Sequence, residues 1–259
     1  MNSQSRDIVG VLPAAGKATR LGTLPCSKEI LPIGIVPGPT GSPRVRVAID
    51  CALAAFRAAG IDRVVIVLTP EKDDIRRYLG DGTDRGMRLE YQDVTDSPSS
   101  AFSVSAAHPM VGDADTALAF PDIQFQPGNA LLALAATRAS TPSDLSLALV
   151  PSRRGEKVDL VRADGLGAVS RIDIKPGPGH QGWTWVAAVW GPRFGRFLAD
   201  AVSGAQEPGA ERHVGDYINE ALAQGFAVNA VRFPDGTVLD IGTHGDLAQA
   251  WAQNGEMET

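Results

Sequence analysis

The sequence predicts an α/β protein of three layers: a mostly parallel central sheet between helices, with a small mixed-β elaboration in the C-terminal half. Three observations carry that expectation. Short apolar runs alternate with segments of helical periodicity over residues 8–151, the pattern of successive strand–helix–strand units. Beyond Arg153 three strand-like runs follow one another with short connections, which predicts antiparallel or mixed pairing. The length, 259 residues, is enough to bury a core without disulfide or metal staples. No repeat, low-complexity tract or linker divides the chain, so a single domain over 1–259 is expected.

The apolar run 8–13 reads as an opening strand, too short for a helix. It feeds a small-residue turn, 14–21, that carries Lys17 and Arg20. Residues 34–43 (GIVPGPTGSP) read as loop. Residues 45–59 have helical spacing, closed by Gly60 as a C-terminal cap. The β-branched run 64–68 is a second buried strand. Helices are expected at 71–79, 101–108 and 129–139, and strands at 89–92, 116–120 and 145–151. The three later strands are 158–162, 168–174 and 184–190. Helices at 193–202 and 214–224, strands at 228–233 and 237–239, and a helix over 244–253 complete the chain.

Composition excludes several function classes. Lys and Arg number 24 against 30 Asp and Glu, a net charge of −6 without a basic block, which argues against a nucleic-acid coat. Cys26 and Cys51 are the only cysteines, too few for a disulfide framework or a cysteine-rich zinc site. His108, His180, His213 and His244 lack paired metal-ligand spacing. The first residues form no apolar leader, and no run approaches the ~18 apolar residues of a membrane span. A cytoplasmic protein without membrane or nucleic-acid partners is expected.

A strand that feeds a small-residue turn lets backbone N–H groups approach a polyphosphate. Two familiar phosphate motifs fail here. G-x-G-x-x-G is absent, and Gly10 and Gly16 stand one residue too far apart for a P-loop, with Ala18 before Thr19. The stretch LPAAGKATRL at 12–21, followed by SKEILPI at 27–33, instead resembles the signature of the sugar-1-phosphate nucleotidyltransferases, nearest the glucose-1-phosphate thymidylyltransferases. LGDGT at 79–83 with Gly86 and Leu89, LAFPD at 118–122 and DIGTH at 240–244 resemble further family segments in the right order.

The resemblance implies a Rossmann-like three-layer nucleotidyltransferase fold, with 1–151 the nucleotide-binding core and 152–259 the sugar-phosphate-binding portion and closing helices. It implies attack by a sugar-1-phosphate on the α-phosphorus of an NTP, dTTP or UTP by default, with Mg²⁺ and release of pyrophosphate. Both reactants are polyanions, so catalysis is chiefly charge relief and alignment. By the same resemblance Ala14, Ala15, Gly16, Lys17 and Thr19 cradle the nucleotide, with Ser99 near the base. Arg20 and Lys28 grip phosphates at the reaction centre, and Lys175 with Asp122 serves the sugar phosphate. Asp122 and Asp240 are the metal pair, carboxylates at strand ends that suit a hard cation. A homo-oligomer, dimer or tetramer, is implied as well.

The chain departs from the family pattern mainly where substrates are selected. Ala18 replaces a loop glycine, Val94 stands where a glutamine reads the pyrimidine, and Ser99 where a glycine lies near the base. Pro121 replaces the glycine before Asp122, Ile174 the acid of Glu-Lys-Pro, and Trp185 the glycine of Thr-Gly. Glu211 and Asp216 match a third acidic segment in part. These changes keep open another base, a non-sugar phosphorylated acceptor (cyclitol, aminosugar or phosphonate), or a catalytically degenerate regulatory protein. Simpler roles compete at each position: Asp122 and Asp240 as caps, Arg20 and Lys28 as solvated cations. Trp183, Trp185 and Trp190 read as core or interface packing, with Trp183 and Trp185, on one face, as the alternative cover for a sugar ring, and Asp73, Asp74, Arg76 and Arg77 as a solvated helix face.

Overall fold

A computed structural model describes residues 7–17, 19–37, 41–205 and 212–254. In chain order the elements are β1 (Ile8–Pro13), β2 (Pro32–Pro37), β3 (Pro43–Val47), α1 (Asp50–Ala58), β4 (Arg63–Leu68), α2 (Asp73–Leu79), β5 (Arg88–Asp93), α3 (Ser100–Ala106) and α4 (His108–Val111). Then come β6 (Asp115–Ala119), β7 (Ile123–Gln126), α5 (Ala130–Ser140), β8 (Leu145–Ser152), β9 (Leu160–Ala163), β10 (Val169–Asp173) and β11 (Gly182–Trp190). The chain closes with α6 (Pro192–Gly204), α7 (Val214–Ala223), β12 (Val228–Arg232), β13 (Thr237–Asp240) and α8 (His244–Asn254).

Strands β5, β4, β1 and β6 lie side by side in parallel within a nine-stranded sheet. The alternation of strand side chains builds a core on each face. Val64, Ile66 and Leu68 pack with Phe56 of α1 and Leu131 of α5, while Val65 and Val67 pack with Val104 of α3 and Phe194 of α6. Gly10 in β1 is required by this packing, because a Cβ there would lie 2.9 Å from Val64 and 3.1 Å from the Phe56 ring.

The mixed half hangs on β11. Its last four residues pair antiparallel with β6, and its other edge pairs with β8 along the whole strand. β12 extends β8 in parallel, while the hairpin of β9 and β10 attaches at Trp183. Since Ala187 pairs with Ala119, Trp185 and Thr184 continue past the end of β6. The 120–122 turn emerges there. Next, β7 pairs antiparallel with β13, placing Asp240 opposite Ile123, and Ile241 N–H donates to the Asp122 carbonyl at 3.0 Å. Two acids distant in sequence thus leave adjacent strand ends.

Outside the loop 34–43 the expected strands and helices fall close to their places, while β7 (Ile123–Gln126) is a strand the sequence reading did not expect. That loop is the main correction. Residues 32–37 and 43–47 form a hairpin of their own, β2 with β3, whose prolines sit at strand ends where a missing N–H does little harm. The helix expected over 45–59 accordingly begins only at Asp50. Arg44, Val45, Arg46 and Val47 obey a period of two that was hidden inside a helical reading. Among the described residues, no helix is long and apolar enough to cross a membrane.

Candidate active site

Two cavities meet at one ion pair. The larger, about 760 Å³, is lined by Ala15, Lys17, Ser27, Lys28, Thr69 and Asp96 among others. The smaller, about 210 Å³, is lined by residues that include Arg20, Asp122, Asp240, Lys175, Trp185 and His213. Lys28 Nζ donates to Asp122 Oδ2 at 2.5 Å, joining a wall of each. Burial disfavours the Lys28 ammonium, but Asp122 and Glu29 outweigh it and hold the ammonium above its ordinary pKa. Asp240 behaves as the second of two close carboxylates. Burial, then the charge of Asp122, pushes its carboxyl up, against the pull of Lys28 and Arg20.

The loop that carries these cations is anchored from below. Both oxygens of the buried Glu29 accept from Lys72 Nζ at 2.7 Å, and the Glu29 carbonyl accepts from Ile49 N–H at 2.8 Å. Asp74 receives the Ser27 N–H at 2.7 Å and the Ser27 hydroxyl at 2.6 Å. Asp74 is therefore a clamp rather than part of a solvated face, while Asp73, Arg76 and Arg77 do form surface ion pairs. Arg20 reaches across to the 240–244 turn. A Cβ on Gly242 would stand 2.9 Å from its guanidinium, so glycine leaves room for the arginine beside Asp240. Asp240 is not the cap of α8: Thr243 fills that role by accepting the Asp246 N–H and donating to its carboxylate.

The remaining expected residues divide. Ala15 and Lys17 line the larger cavity, with Lys17 paired to Asp96 at 3.0 Å on the surface. Ala14 is buried and gives its N–H to Val67, continuing the sheet. Gly16 is exposed at the turn. Ser99 caps α3 by accepting the Phe102 N–H at 3.2 Å, and its neighbour Ser100 is the one that lines the smaller cavity. Ala18, Glu211 and the side chain of Thr19 lie outside the described residues.

Lys175 has φ +38°, the one positive value among described non-glycine residues. Its N–H donates to Asp159 at 3.3 Å, and its Nζ lies 3.2 Å from His213 Nε2. Of the three alternating tryptophans, Trp185 enters the site, edge-on to Phe120 at 5.5 Å, while Trp190 packs on Phe194. Asp159 and His213 fall in no motif, and each is recruited by a strand or helix end far away in the chain; Glu29 lies inside the SKEILPI stretch, but its buried partner Lys72 stands 43 positions further on. Asp246 also surfaced only in the structure, gathering Arg154 and Lys157 at 2.9 and 3.0 Å. Among the described residues no group of three or more His, Cys, Asp or Glu is arranged to hold a metal; the acids at the junction are a pair.

The model of the family described as nucleotidyl transferase matches residues 9–256. A glucose-1-phosphate thymidylyltransferase of Mycolicibacterium smegmatis is 33% identical over 125 residues, 46% of this chain and 39% of that protein. The low-salt glycan biosynthesis nucleotidyltransferase of Haloferax volcanii is 23% identical over 246 residues, 93% of this chain and 64% of that one. The matches thus span less than two thirds of either relative's length. Two solved structures share the fold at low identity. One, assigned as a glucose-1-phosphate thymidylyltransferase from Bacillus anthracis in complex with sucrose, has TM-score 0.81 and 17% identity, covering 97% of each chain. The other, an apo UDP-glucose pyrophosphorylase, has TM-score 0.74 and 16% identity, covering 95% of this chain and 97% of that one. Because the family match runs from β1 through α8, the chain belongs to the nucleotidyl transferase family.

Proposed function

We propose that the protein transfers a nucleotidyl group from an NTP to a sugar-1-phosphate or a related phosphorylated acceptor, releasing pyrophosphate. The observation that carries this reading is the Lys28–Asp122 pair at the junction of two cavities, with Asp240 beside it. The larger cavity draws its named walls from residues up to Asp96, while the smaller adds Lys157, Asp159, Lys175 and His213. That partition supports a nucleotide-binding portion over 1–151 and an acceptor-binding portion over 152–259.

The residues fit Mg²⁺. Asp122 and Asp240 offer hard oxygen donors from adjacent strand ends, and their mutual repulsion is relieved by a divalent cation. When bound, Mg²⁺ supplies charge neutralisation at the reacting phosphates. The chain's own groups do the rest. Lys28 sets a positive charge between donor and acceptor, Arg20 adds a second beside Asp240 in the smaller cavity, and Lys175 holds the acceptor phosphate. An oxygen of that phosphate attacks the α-phosphorus as the bond to the β-phosphate breaks, and the electron pair leaves with pyrophosphate. No general base is required, because the attacking phosphate is already ionised near neutral pH. By resemblance the donor is dTTP or UTP, although Val94 occupies the place of the base-reading glutamine.

The test is pyrophosphate release with Mg²⁺ across all NTPs and a panel of sugar-1-phosphates and phosphorylated non-sugar acceptors. Release with at least one pair is expected. Silence across the panel would remove the enzyme and leave a nucleotide-sugar-binding regulatory protein.

A further inference from the structure

We infer that Asp159 is a positioning residue for Lys175: from across the β9–β10 hairpin it holds the lysine backbone in the left-handed conformation that aims the ammonium into the acceptor cavity. The inference rests on the reading of Lys175 as the group that holds the acceptor phosphate.

A side chain rarely adopts φ between +20° and +160°, and where it does the surroundings over-determine it. Lys175, at φ +38°, is such a residue. Its neighbours, Ile174 and Pro176, offer no acid to fix it. The acid comes instead from the opposite strand. Asp173 pairs with Leu160, so Asp159 lies just past the hairpin's paired end, opposite Ile174 and next to Lys175, and Asp159 Oδ1 accepts the Lys175 N–H at 3.3 Å. The carboxylate is itself fixed. It shares the cavity wall with Trp185, and it sits against the start of α7, where a Cβ on Gly215 would lie 3.0 Å from Oδ2. The helix N-terminus there favours an anion. At the far end of the lysine, Nζ meets His213 Nε2 at 3.2 Å, and Lys175, Asp159, Trp185 and His213 all line the one cavity. Burial pushes the Asp159 carboxyl above its ordinary range despite the charges of His213 and Lys175, as expected of a group kept for orientation rather than solvation.

The experiment compares wild type with Asp159→Asn, Asp159→Ala and Lys175→Gln in pyrophosphate release, varying NTP and acceptor separately. Asp159→Asn keeps an oxygen that accepts the Lys175 N–H, so its acceptor KM should stay within about twofold of wild type. Loss of the hydrogen bond in Asp159→Ala should raise acceptor KM about tenfold or more, with NTP KM unmoved, in parallel with Lys175→Gln. The inference is overturned if Asp159→Asn is as impaired as Lys175→Gln, or if Asp159→Ala leaves acceptor KM unchanged while Lys175→Gln raises it. An inactive wild type, or a Lys175→Gln variant with unchanged acceptor KM, would instead strike the functional reading. A crystal structure of Asp159→Ala decides the positioning claim even then: residue 175 should leave positive φ and Nζ should part from His213. Retention of both would end the claim.

Discussion

The two ends of the site are built on opposite plans. At the proposed donor end one continuous segment supplies Lys17 and Lys28 and sends Arg20 across to the smaller cavity, and two pairs, the buried Glu29 with Lys72 and the half-buried Ser27 with Asp74, hold it from beneath. At the proposed acceptor end Asp159, Lys175 and His213 arrive from the ends of β9, β10 and α7 and Trp185 from within β11, and hydrogen bonds tie Lys175 to Asp159 and to His213. A continuous segment must keep its order to keep its geometry. A scattered set can exchange one group for another wherever an element end happens to point. The proposed polyphosphate chemistry is accordingly concentrated where the sequence resembles its family, and the departures cluster in the segments proposed to select acceptor and base.

The sharpest test of that contrast is Asp122→Asn, at the point where both ends meet. Removing one carboxylate of the pair should lower kcat at least about 10³-fold with every acceptor, since metal-assisted charge stabilisation is worth several kcal/mol. Pyrophosphate release under saturating substrates measures it. An acceptor-dependent loss would mean that Asp122 belongs to acceptor selection rather than to the shared centre.

The same contrast explains what was legible in the sequence. Strands β1, β4, β6 and β8 are short β-branched or apolar runs buried on both faces, and residue type alone marks them. Arg20, Lys28, Asp122 and Asp240 lie in segments whose order resembles a known signature, and the structure brings them together. The hairpin β2–β3 was missed because glycine and proline dominate its middle, although its flanks alternate. Asp159 and His213 were missed for a different reason: hydrogen-bond partners 16 and 38 positions from Lys175 in the chain leave no local pattern. Ser99 was read as a residue near the base, and its hydroxyl caps α3. Capping and ligand contact draw on the same small polar residues.

The buried support under the donor loop should show in stability rather than in chemistry. Lys72→Met leaves Glu29 buried without its cation, which should cost about 3–5 kcal/mol in urea unfolding at pH 7. Burial already pushes the Glu29 carboxyl above its ordinary value of 4.5, against the pull of Lys72 and Lys28. A carboxyl raised in the folded state favours folding most when protonated, so its contribution is lost as pH rises above 4.5. The variant should therefore recover stability on acidification towards pH 4.5. Equal loss at all pH values would assign the effect to packing instead.

Asp246 stands behind the acceptor end, tying the start of α8 to Arg154 and to Lys157 of the smaller cavity. Burial alone would raise its carboxyl, but Thr243, Lys157 and Arg154 outweigh it and bring it down to about 2 from 3.8. A lowered carboxyl stabilises the fold above the ordinary value and loses that contribution as pH falls through the folded one. Asp246→Asn should thus cost about 2 kcal/mol at pH 7. The gap from wild type should close between about pH 4 and pH 2. Chemical unfolding at several pH values follows it, and a gap that stays open at low pH would remove the charge from the account.

The smallest effect belongs to the most exposed part of the donor end. Lys17 and Asp96 pair at 3.0 Å with both side chains more than half exposed, 68% and 61%. Such a pair contributes little to folding, because water and salt screen it and two long side chains lose freedom to form it. Lys17→Ala should therefore leave the melting temperature unchanged. If Lys17 serves the nucleotide, its loss should instead raise NTP KM a few-fold at low salt, an effect that shrinks as ionic strength rises, with acceptor KM constant. A change in acceptor KM would show that the loop reaches across the Lys28–Asp122 junction, and the two ends would no longer be separable. A fall in stability would show that the loop, like the segment after it, is held by its own ion pair rather than by the ligand it meets.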